Sequence, residues 1–314
     1  MDVRRGLILA GIAVLSYMLV LEWNEDYGKR PQPTEPMVTR LAPAVDTPVA
    51  VENTDAPVVN DVAPQVDVAE PTNELIQVTT DVLDIRINPV GGDIVYAALK
   101  EYPHSMENKD IPFVLLEQST ARTYVAQSGL VGKNGIDKAG RAAFSVDKNV
   151  FELTDSDDNL TVALRTQQDG VNIVKEFVFK RGDYLVDVGY RIDNQSSQPW
   201  QANFYAQFKR DRSGDPSSME AMGMASYLGA AVTRPSERYF KIDFDDMDEG
   251  SFKEQVNGGW AAFLQHYFLA AWVPNQELAH TYNTRKAGGQ YIVGYYDEAI
   301  AVAPGAQGET FTSV

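Results

Sequence analysis

The stretch Tyr184-Leu-Val-Asp-Val-Gly-Tyr-Arg-Ile192 places an apolar side chain at every second position. A period of two is typical of a β-strand with one buried face, because successive side chains point to opposite sides of a sheet. Asp187 and Arg191 fall on the predicted solvent-facing side. Lys180-Arg-Gly-Asp183 comes directly before the stretch, and glycine within such a short connection predicts a hairpin turn. The stretch therefore predicts antiparallel sheet.

Three further stretches repeat the alternation of apolar and polar side chains. Their apolar positions are Leu83, Ile85 and Ile87, then Leu160, Val162 and Leu164, then Trp200, Ala202, Phe204, Ala206 and Phe208. In the last stretch, Gln201, Asn203 and Gln207 are predicted to face solvent. Each stretch is predicted to be a half-buried strand.

A nearly apolar run extends from Trp260 to Val273. It is too short to cross a bilayer as a helix, so it is either a buried helix or a long strand buried on both faces. Gly258-Gly259 before it and Pro274 after it favour the strand. Outside the N-terminal region, only Ser218 to Ala231 approaches helical periodicity. We therefore predict an all-β domain, built as a sandwich of two twisted sheets.

The N-terminal region has the charge pattern of a membrane anchor. Arg4 and Arg5 precede an uncharged apolar run from Gly6 to Leu21, and acidic residues follow it. Because basic flanks stay in the cytoplasm, residues 1–5 are predicted to be cytoplasmic, with residues 6–23 as a transmembrane helix. A cleaved signal peptide is the alternative. The anchor is favoured because Met18 to Trp23 lacks the small residues of a cleavage site.

Residues 24–73 are predicted to be a flexible linker. Eight of the sixteen prolines lie between Pro31 and Pro71, and no aromatic residue occurs between Tyr27 and Tyr96. Such a segment buries too little apolar surface to offset the entropy of ordering it. Residues 74–314 are then the exported β domain, in the periplasm.

The charge balance and the absence of cysteine exclude several classes of function. The formal net charge is −17, which disfavours nucleic-acid binding because that requires a cationic face. The same excess of acids disfavours a polybasic membrane-binding patch on the β domain. A chain with no cysteine has no disulfide, no thiolate metal site and no cysteine nucleophile.

The candidate catalytic and metal-ligating residues do not form a recognisable motif. His104, His266 and His280 have no metal-ligand spacing, so we interpret them as surface or core residues. Asp243 to Gly250 resembles a calcium loop, but position 5 of that loop falls on Met247, so a solvated acidic loop is the better interpretation.

The remaining candidate motifs are equally weak. Ser213-Gly-Asp215 and Gly223-Met-Ala-Ser226 lack the spacing of a nucleophile elbow. The glycine pairs that begin at Gly91, Gly258 and Gly288 are not in a phosphate-binding context. We therefore predict no catalytic, cofactor-binding or metal-binding residues and no cofactor. The absence of a recognisable site favours an interaction domain over an enzyme.

Four phrases, in this order, resemble the YidC family of bacterial inner-membrane protein insertases. They are Gly91-Gly-Asp-Ile94, Ala126-Gln-Ser-Gly-Leu130, Phe177-Val-Phe-Lys-Arg-Gly-Asp-Tyr184, and Gly258-Gly-Trp-Ala-Ala-Phe-Leu-Gln-His-Tyr-Phe268 closed by Ala271-Trp-Val-Pro274. The Arg-flanked anchor that ends in Glu22-Trp-Asn-Glu-Asp-Tyr27 is similar to the first transmembrane helix of the Gram-negative form. The resemblance covers the whole chain, as anchor, linker and periplasmic domain.

The resemblance implies more than the residues do alone. It implies a β-supersandwich similar to galactose-mutarotase-like domains, in a protein that inserts and folds integral inner-membrane proteins. The implied partners are the inner membrane, nascent membrane proteins, the Sec translocon and the SecDF auxiliary complex. The sequence stops at Val314, so we expect a fragment without the five further transmembrane helices of the family. This chain would supply the anchor and the interaction domain, not the insertase core.

A membrane-tethered carbohydrate-binding or epimerase-like protein is the alternative function, because the implied fold hosts both classes. An epimerase requires a general acid and a general base that converge in one cleft. A histidine beside an acid on an open concave surface would favour this alternative.

Overall fold

The structure is a computed structural model that describes residue 57 and residues 74–105, 108–216 and 227–314. The predicted cytoplasmic segment 1–5, the helix 6–23 and the linker 24–73 lie outside the described residues, apart from residue 57. The chain divides into residues 1–49 and residues 50–314, and the described residues all belong to the second unit. Within these described ranges no helix has the length and apolar character to cross a membrane.

Strands dominate the described residues, with one short helix among them. The elements in chain order are β1 (Ile76–Thr79), β2 (Leu83–Asn88), β3 (Asp93–Pro103), β4 (Pro112–Gln118), β5 (Thr123–Val131), β6 (Val150–Glu152), β7 (Asn159–Gln168), β8 (Val171–Lys180), β9 (Asp187–Asn194), β10 (Trp200–Arg210), β11 (Gly229–Val232), β12 (Phe240–Ile242), α1 (Phe244–Glu249), β13 (Lys253–Asn257), β14 (Ala261–Leu264), β15 (Leu269–Trp272), β16 (Ala279–Ala287), β17 (Gln290–Val302) and β18 (Gln307–Ser313). The all-β class predicted from the alternation is confirmed.

One layer is a ten-stranded sheet in the order β13-β16-β17-β10-β5-β4-β3-β2-β1-β6. The pairing of β1 with β6 is parallel, and the other neighbours in this order pair antiparallel. β10 lies between β5 and β17, so residues distant in the sequence meet at the middle of the sheet.

The other layer consists of two four-stranded sheets, β7-β8-β9-β18 and β15-β14-β11-β12. A single bridge joins them where Val273, just after β15, meets Ser313 of β18. The N–H of Val273 donates to the carbonyl of Ser313 at 2.8 Å, and the N–H of Ser313 donates back at 3.1 Å. The two sheets are thereby hydrogen-bonded into one second layer.

The core lies between the layers and takes up the apolar faces predicted from the sequence. Val188, Tyr190 and Ile192 of β9 are buried, and Asp187 and Arg191 face away from them as expected. The apolar positions of β2, β7 and β10 enter the same core cluster. Burial of these alternating side chains on both layers fixes the register of each strand, because a one-residue slip would reverse its faces.

The run from Trp260 to Val273 is strand, as predicted, but the prediction of one long strand was wrong. The structure divides it into β14 and β15, which pair antiparallel from Ala261↔Trp272 to Leu264↔Leu269. Gln265 begins the turn, and its N–H bonds to the carbonyl of Phe268 at 2.8 Å. The polar pair Gln265-His266 was the signal for this turn.

The acidic stretch from Asp243 to Gly250 is not the loop that the sequence predicted, because it contains the helix α1. Asp243 is the N-cap, and its side chain accepts from the N–H of Asp246, whose carboxylate accepts in return from the N–H of Asp243. This reciprocal pair satisfies two donors at the helix start, which explains the acids without a bound cation. Of the segment 218–231, the residues from Gly229 onward are strand β11, and 218–226 lies outside the described residues.

Candidate functional site

β10 differs from its prediction in a way that reveals the main polar feature of the domain. Its apolar face is buried as expected, but Asn203 and Gln207, predicted to face solvent, are only 7% and 1% exposed. They lie on the face of the ten-stranded sheet that points away from the core cluster. The alternation correctly predicted which side chains of β10 share a face of the sheet. It could not show that the second face is also covered.

Six side chains on this second face form a continuous hydrogen-bonded row, which we call the polar chain. In order across the sheet they are Arg141, Asp93, Gln127, Gln207, Arg285 and Asn283. The row crosses β3, β5, β10 and β16, and Arg141 joins it from the connection between β5 and β6.

The two charged side chains that flank the glutamines, Asp93 and Arg285, set the direction of the hydrogen bonds between them. Asp93 only accepts, so the Nε2 group of Gln127 donates to it at 2.9 Å. The Oε1 atom of Gln127 therefore faces Gln207, which donates at 2.9 Å. Arg285 only donates, to Oε1 of Gln207 at 2.7 Å and to Oδ1 of Asn283 at 2.9 Å. The carboxylate of Asp93 on one side and the guanidinium of Arg285 on the other thus orient both glutamine amides.

The inner end of the polar chain is anchored by the turn at Gly91 and Gly92. Arg141 and Lys175 both donate to the carbonyl oxygens of Gly91 and Ser128, at 2.9–3.1 Å. Both glycines have positive φ, +84° and +61°. A Cβ on Gly91 would lie 2.5 Å from Nε of Arg141, and one on Gly92 would lie 2.8 Å from Cδ of Lys175. Glycine is required here both for the backbone conformation and for the close approach of the two cations.

Lys175 is fully buried between the layers. Burial lowers its pKa to about 7, although the nearby carboxylate of Asp93 acts in the opposite direction. Its ammonium also lies 5.4 Å and 5.3 Å from the ring centres of Phe177 and Tyr190. Burial has the opposite effect on the Tyr205 hydroxyl and raises its pKa. This hydroxyl accepts a hydrogen bond from Arg141.

Both carboxylate oxygens of Asp93 accept hydrogen bonds from side chains within the protein. One carboxylate oxygen accepts from Arg141 and the other from Gln127. Asp137 accepts from the N–H groups of Leu130 and Ala142 and pairs with Arg141. Carboxylates with these partners serve to orient and neutralise the buried cations. The polar chain approaches solvent at its two ends, where Arg141 on one side and Arg285 and Asn283 on the other are half-buried.

His280 is the predicted candidate that the structure places beside an acid. Its Nδ1 lies 2.5 Å from Oδ1 of Asp297, and its Nε2 lies 2.7 Å from the carbonyl oxygen of Asn275. Both partners are acceptors, so the geometry is satisfied when both ring nitrogens carry a proton. Burial alone would lower the pKa of His280, but the bonds to Asp297 and Asn275 outweigh it and raise the pKa above 6.5.

The pairing of His280 with Asp297 was missed in the sequence, because seventeen positions separate them. The registers of β16 and β17 bring them together: Thr281 lies opposite Tyr296. His280 is only 1% exposed, so it does not face an open concave surface. His104 and His266 are both exposed, in the β3–β4 and β14–β15 connections. The three histidines therefore lie in three different parts of the domain, two in connections and one in β16.

The other candidate residues are placed as follows. Ser213 follows β10, and its N–H donates to Asp211 at 3.0 Å. Gly223 to Ser226 lies outside the described residues. The glycine pairs at 258 and 288 adopt positive φ in turns, like the pair at 91. Within the part of the chain that the structure describes, no three His, Asp or Glu side chains are grouped to hold a metal ion.

Comparison with known proteins shows the family to which the chain belongs. Residues 75–314 match the family model described as the YidC periplasmic domain. The chain is 45% identical over 341 residues to the membrane protein insertase YidC of Ectopseudomonas mendocina (strain ymp), covering 99% of this chain and 59% of that protein. It is 46% identical over 319 residues to the protein of the same name from Stutzerimonas stutzeri (strain A1501), covering 99% and 57%.

The chain thus contains a periplasmic domain of a recognised family, and it belongs to the YidC family. The family suggested by the four sequence phrases is confirmed. The chain spans less than three fifths of the length of these two relatives.

Solved structures with a related arrangement of strands include galactose mutarotase-like proteins. One is a galactose mutarotase related enzyme from Lactobacillus acidophilus, with a TM-score of 0.46 and 9% identity, covering 76% of this chain and 96% of that one. Another is a galactose mutarotase-like protein from Lactobacillus casei, with a TM-score of 0.47 and 11% identity, covering 76% and 98%. The β-sandwich assignment depends on the sheets described above, and these likenesses add nothing about function.

Proposed function

We propose that this chain supplies the membrane anchor and a non-catalytic periplasmic interaction domain to an insertase of the inner membrane. Nascent membrane proteins would be its substrates, and the Sec translocon and SecDF its partners. The proposal is supported by the family match over residues 75–314 and by relatives named membrane protein insertase. The apolar run from Gly6 to Leu21 and the linker 24–73 would hold the domain at the periplasmic surface.

The hydrogen bonding and burial of His280 carry the proposal that the domain is not catalytic. Proton transfer to a substrate requires a ring nitrogen that is free to exchange its proton within reach of that substrate. Both nitrogens of His280 are bonded to protein acceptors, and the ring is buried. The carboxylate of Asp93 is likewise held by two side chains. These groups stabilise the sheet instead of forming an acid–base pair in a cleft.

A mutarotation assay tests this part directly. The purified chain should interconvert the anomers of glucose and galactose no faster than buffer. Catalysis that is lost on His280→Gln, in a variant that circular dichroism shows to be folded at the assay temperature, would favour the epimerase-like alternative.

The role of the chain in insertion is tested in cells depleted of the full insertase. Lowering the cost of moving charged groups through hydrocarbon requires an enclosed polar path. One predicted apolar helix cannot enclose such a path, so residues 1–314 alone should not rescue growth. Overproduction beside the full insertase should give a mild growth defect through competition for partners. Rescue by this chain alone would show that the insertion activity resides in it.

The proposed topology has its own test. Protease added to spheroplasts should degrade the β domain, while intact cells should protect it. An N-terminus of the mature protein that maps within 24–73 would show that the first residues are a cleaved signal.

A further inference from the structure

One end of the sandwich carries a group of exposed apolar side chains, which we call the tip patch. Its members are Tyr102 (45% exposed), Ile111 (53%), Leu185 (40%), Tyr267 (71%) and Leu269 (55%). They lie in or directly beside three connections: Tyr102 near the end of β3 and Ile111 in the β3–β4 connection, Leu185 in the β8–β9 connection, and Tyr267 in the β14–β15 connection with Leu269 at the start of β15. These five are the majority of the large apolar side chains that are exposed in the described ranges. Single exposed apolar residues are ordinary on a protein surface, whereas a grouped set indicates an interaction surface.

Ring contacts show that the three connections meet. The ring centre of Phe268, between Tyr267 and Leu269, lies 4.2 Å from that of the buried Phe113 and 5.3 Å from that of Tyr102. Tyr102 in turn lies 5.9 Å from Tyr184, the neighbour of Leu185. The exposed residues therefore surround a packed aromatic base, so the patch is a fixed part of the fold.

The position of the tip patch suits a surface that faces a membrane. Gly182, in the β8–β9 turn, donates to Asp81 at 2.8 Å, so the β1–β2 turn is at the same end. β1 has four residues, about 13 Å of extended chain, so the linker joins the domain close to this end. Val314 exchanges backbone hydrogen bonds with Val186, so the end of β18 also lies beside the patch.

The linker keeps the domain near a bilayer if the N-terminal run is the anchor. A flexible chain of fifty residues has an end-to-end distance on the order of 40 Å. This confinement gives a high effective concentration of lipid, so a weak contact is enough for docking. A lipid surface is therefore the occupant that is always within reach of the tip patch.

The side chains of the tip patch also favour a lipid surface as the occupant. Tyrosine, leucine and isoleucine suit the boundary between headgroups and acyl chains. At this boundary the apolar body of a tyrosine ring contacts the acyl chains while its hydroxyl stays among the headgroups. The net charge of −17 opposes electrostatic attraction to anionic lipids. Docking would therefore depend on apolar insertion and would not require anionic headgroups.

We propose that the tip patch docks the β domain on the periplasmic leaflet by inserting Tyr267, Leu269 and their neighbours into the bilayer interface. This inference rests on the anchor of the proposed function, and it adds a second membrane contact through the folded domain itself.

The absence of cysteine allows a site-specific test with the whole chain. Tyr267→Cys, labelled with an environment-sensitive fluorophore, is reconstituted in phosphatidylcholine liposomes that contain nitroxide-labelled lipid. Ser197→Cys is the matched control, because it is exposed at the opposite end of β9, about 26 Å away along the strand. The label at 267 should be blue-shifted and quenched at least about twofold more than the label at 197, with little change in high salt.

A second variant separates docking from folding. Leu185→Asp with Leu269→Asp should reduce the quenching at 267 to the control level, while circular dichroism and melting temperature stay unchanged because both side chains are exposed. Equal signals at 267 and 197 would overturn the proposal. So would a signal that appears only at high protein-to-lipid ratio, or only with an added protein, because these indicate a second copy or a protein partner.

Flotation of the liposomes tests the anchor independently. A chain that floats but has an unquenched label at 267 retains the proposed function and overturns the docking. A chain that does not float overturns the anchor and the docking together.

Discussion

Lys175 is a buried side chain whose charged form destabilises the folded state. Its ammonium is held by two backbone carbonyls and lies between aromatic rings. These contacts do not compensate fully for the water that is lost, so its pKa falls to about 7. Asp93 and Asp137 keep the surrounding pocket close to neutral, which allows a second cation, Arg141, at the same carbonyls.

Lys175→Met should change the pH dependence of stability. The unfolded chain holds the Lys175 proton up to about pH 10.5, whereas the folded chain releases it near 7. Between these values the unfolded state binds more protons, so the stability of the parent should rise with pH relative to the variant. The limiting slope is about 1.4 kcal/mol per pH unit. Urea unfolding at several pH values measures it, with exposed Lys133→Met as the control, and parallel curves for parent and Lys175→Met would contradict the assignment.

Gly91→Ala should be much more destabilising than Gly182→Ala. Both glycines have positive φ, +84° and +70°, so alanine at either position costs about 1 kcal/mol of backbone strain. At Gly91 the new Cβ also meets the guanidinium of Arg141, whereas at Gly182 nothing lies within 4 Å. We expect a loss of about 1 kcal/mol at 182 and about 3 kcal/mol at 91. Chemical denaturation of the two variants gives the difference, and similar losses would show that Arg141 moves aside easily.

At the scale of elements, β16 and β17 are joined by a buried ionic contact as well as by their backbone ladder. His280 belongs to β16 and Asp297 to β17. The carbonyl oxygen of Asn275 is the hydrogen-bond partner of the second ring nitrogen. The backbone of Asp297 also accepts from the side chain of Asn203 at 2.9 Å, which ties the pair to β10. The contact therefore secures three neighbouring strands.

His280→Gln should remove a component of stability that depends on pH. The pKa of His280 is raised in the folded state, so its contribution is complete below about pH 6.5 and is lost as the pH rises through the folded value. The stability difference between the parent and His280→Gln should be largest near pH 5.5 and smaller at pH 8.5. Thermal unfolding across this range measures it. Exposed His104→Gln is the control, and a constant difference for His280→Gln would contradict a protonated ring.

The sequence predicts strands better than it predicts their partners. Alternation predicted β2, β7, β9 and β10 because each has one apolar face in the core. It missed the hairpin within Trp260 to Val273, since nearly every position there is apolar and no period shows the turn. It also missed the polar chain, because those contacts depend on register between strands far apart in the sequence. The Gly91-Gly92 pair was visible, but the two cations that require it were not.

At the scale of the whole chain, the domain should be stable independently of the predicted linker. Deleting about twenty residues within 24–73 should leave the melting temperature of the β domain nearly unchanged, because a segment so rich in proline buries little apolar surface. Differential scanning calorimetry compares the two chains. A fall of many degrees would show that the linker packs on a sheet.

The bridge between Val273 and Ser313 has a consequence for the order in which the protein can fold during synthesis. β18 is the last strand that the structure describes, yet it pairs with β9 from Asp187 to Asp193 and joins the two sheets of the second layer. Until Gln307 to Ser313 have been made, β9 has an unpaired edge, and such an edge readily pairs with other chains. The nascent domain therefore stays open and vulnerable to aggregation until β18 has been made, because only then are the two sheets of the second layer joined.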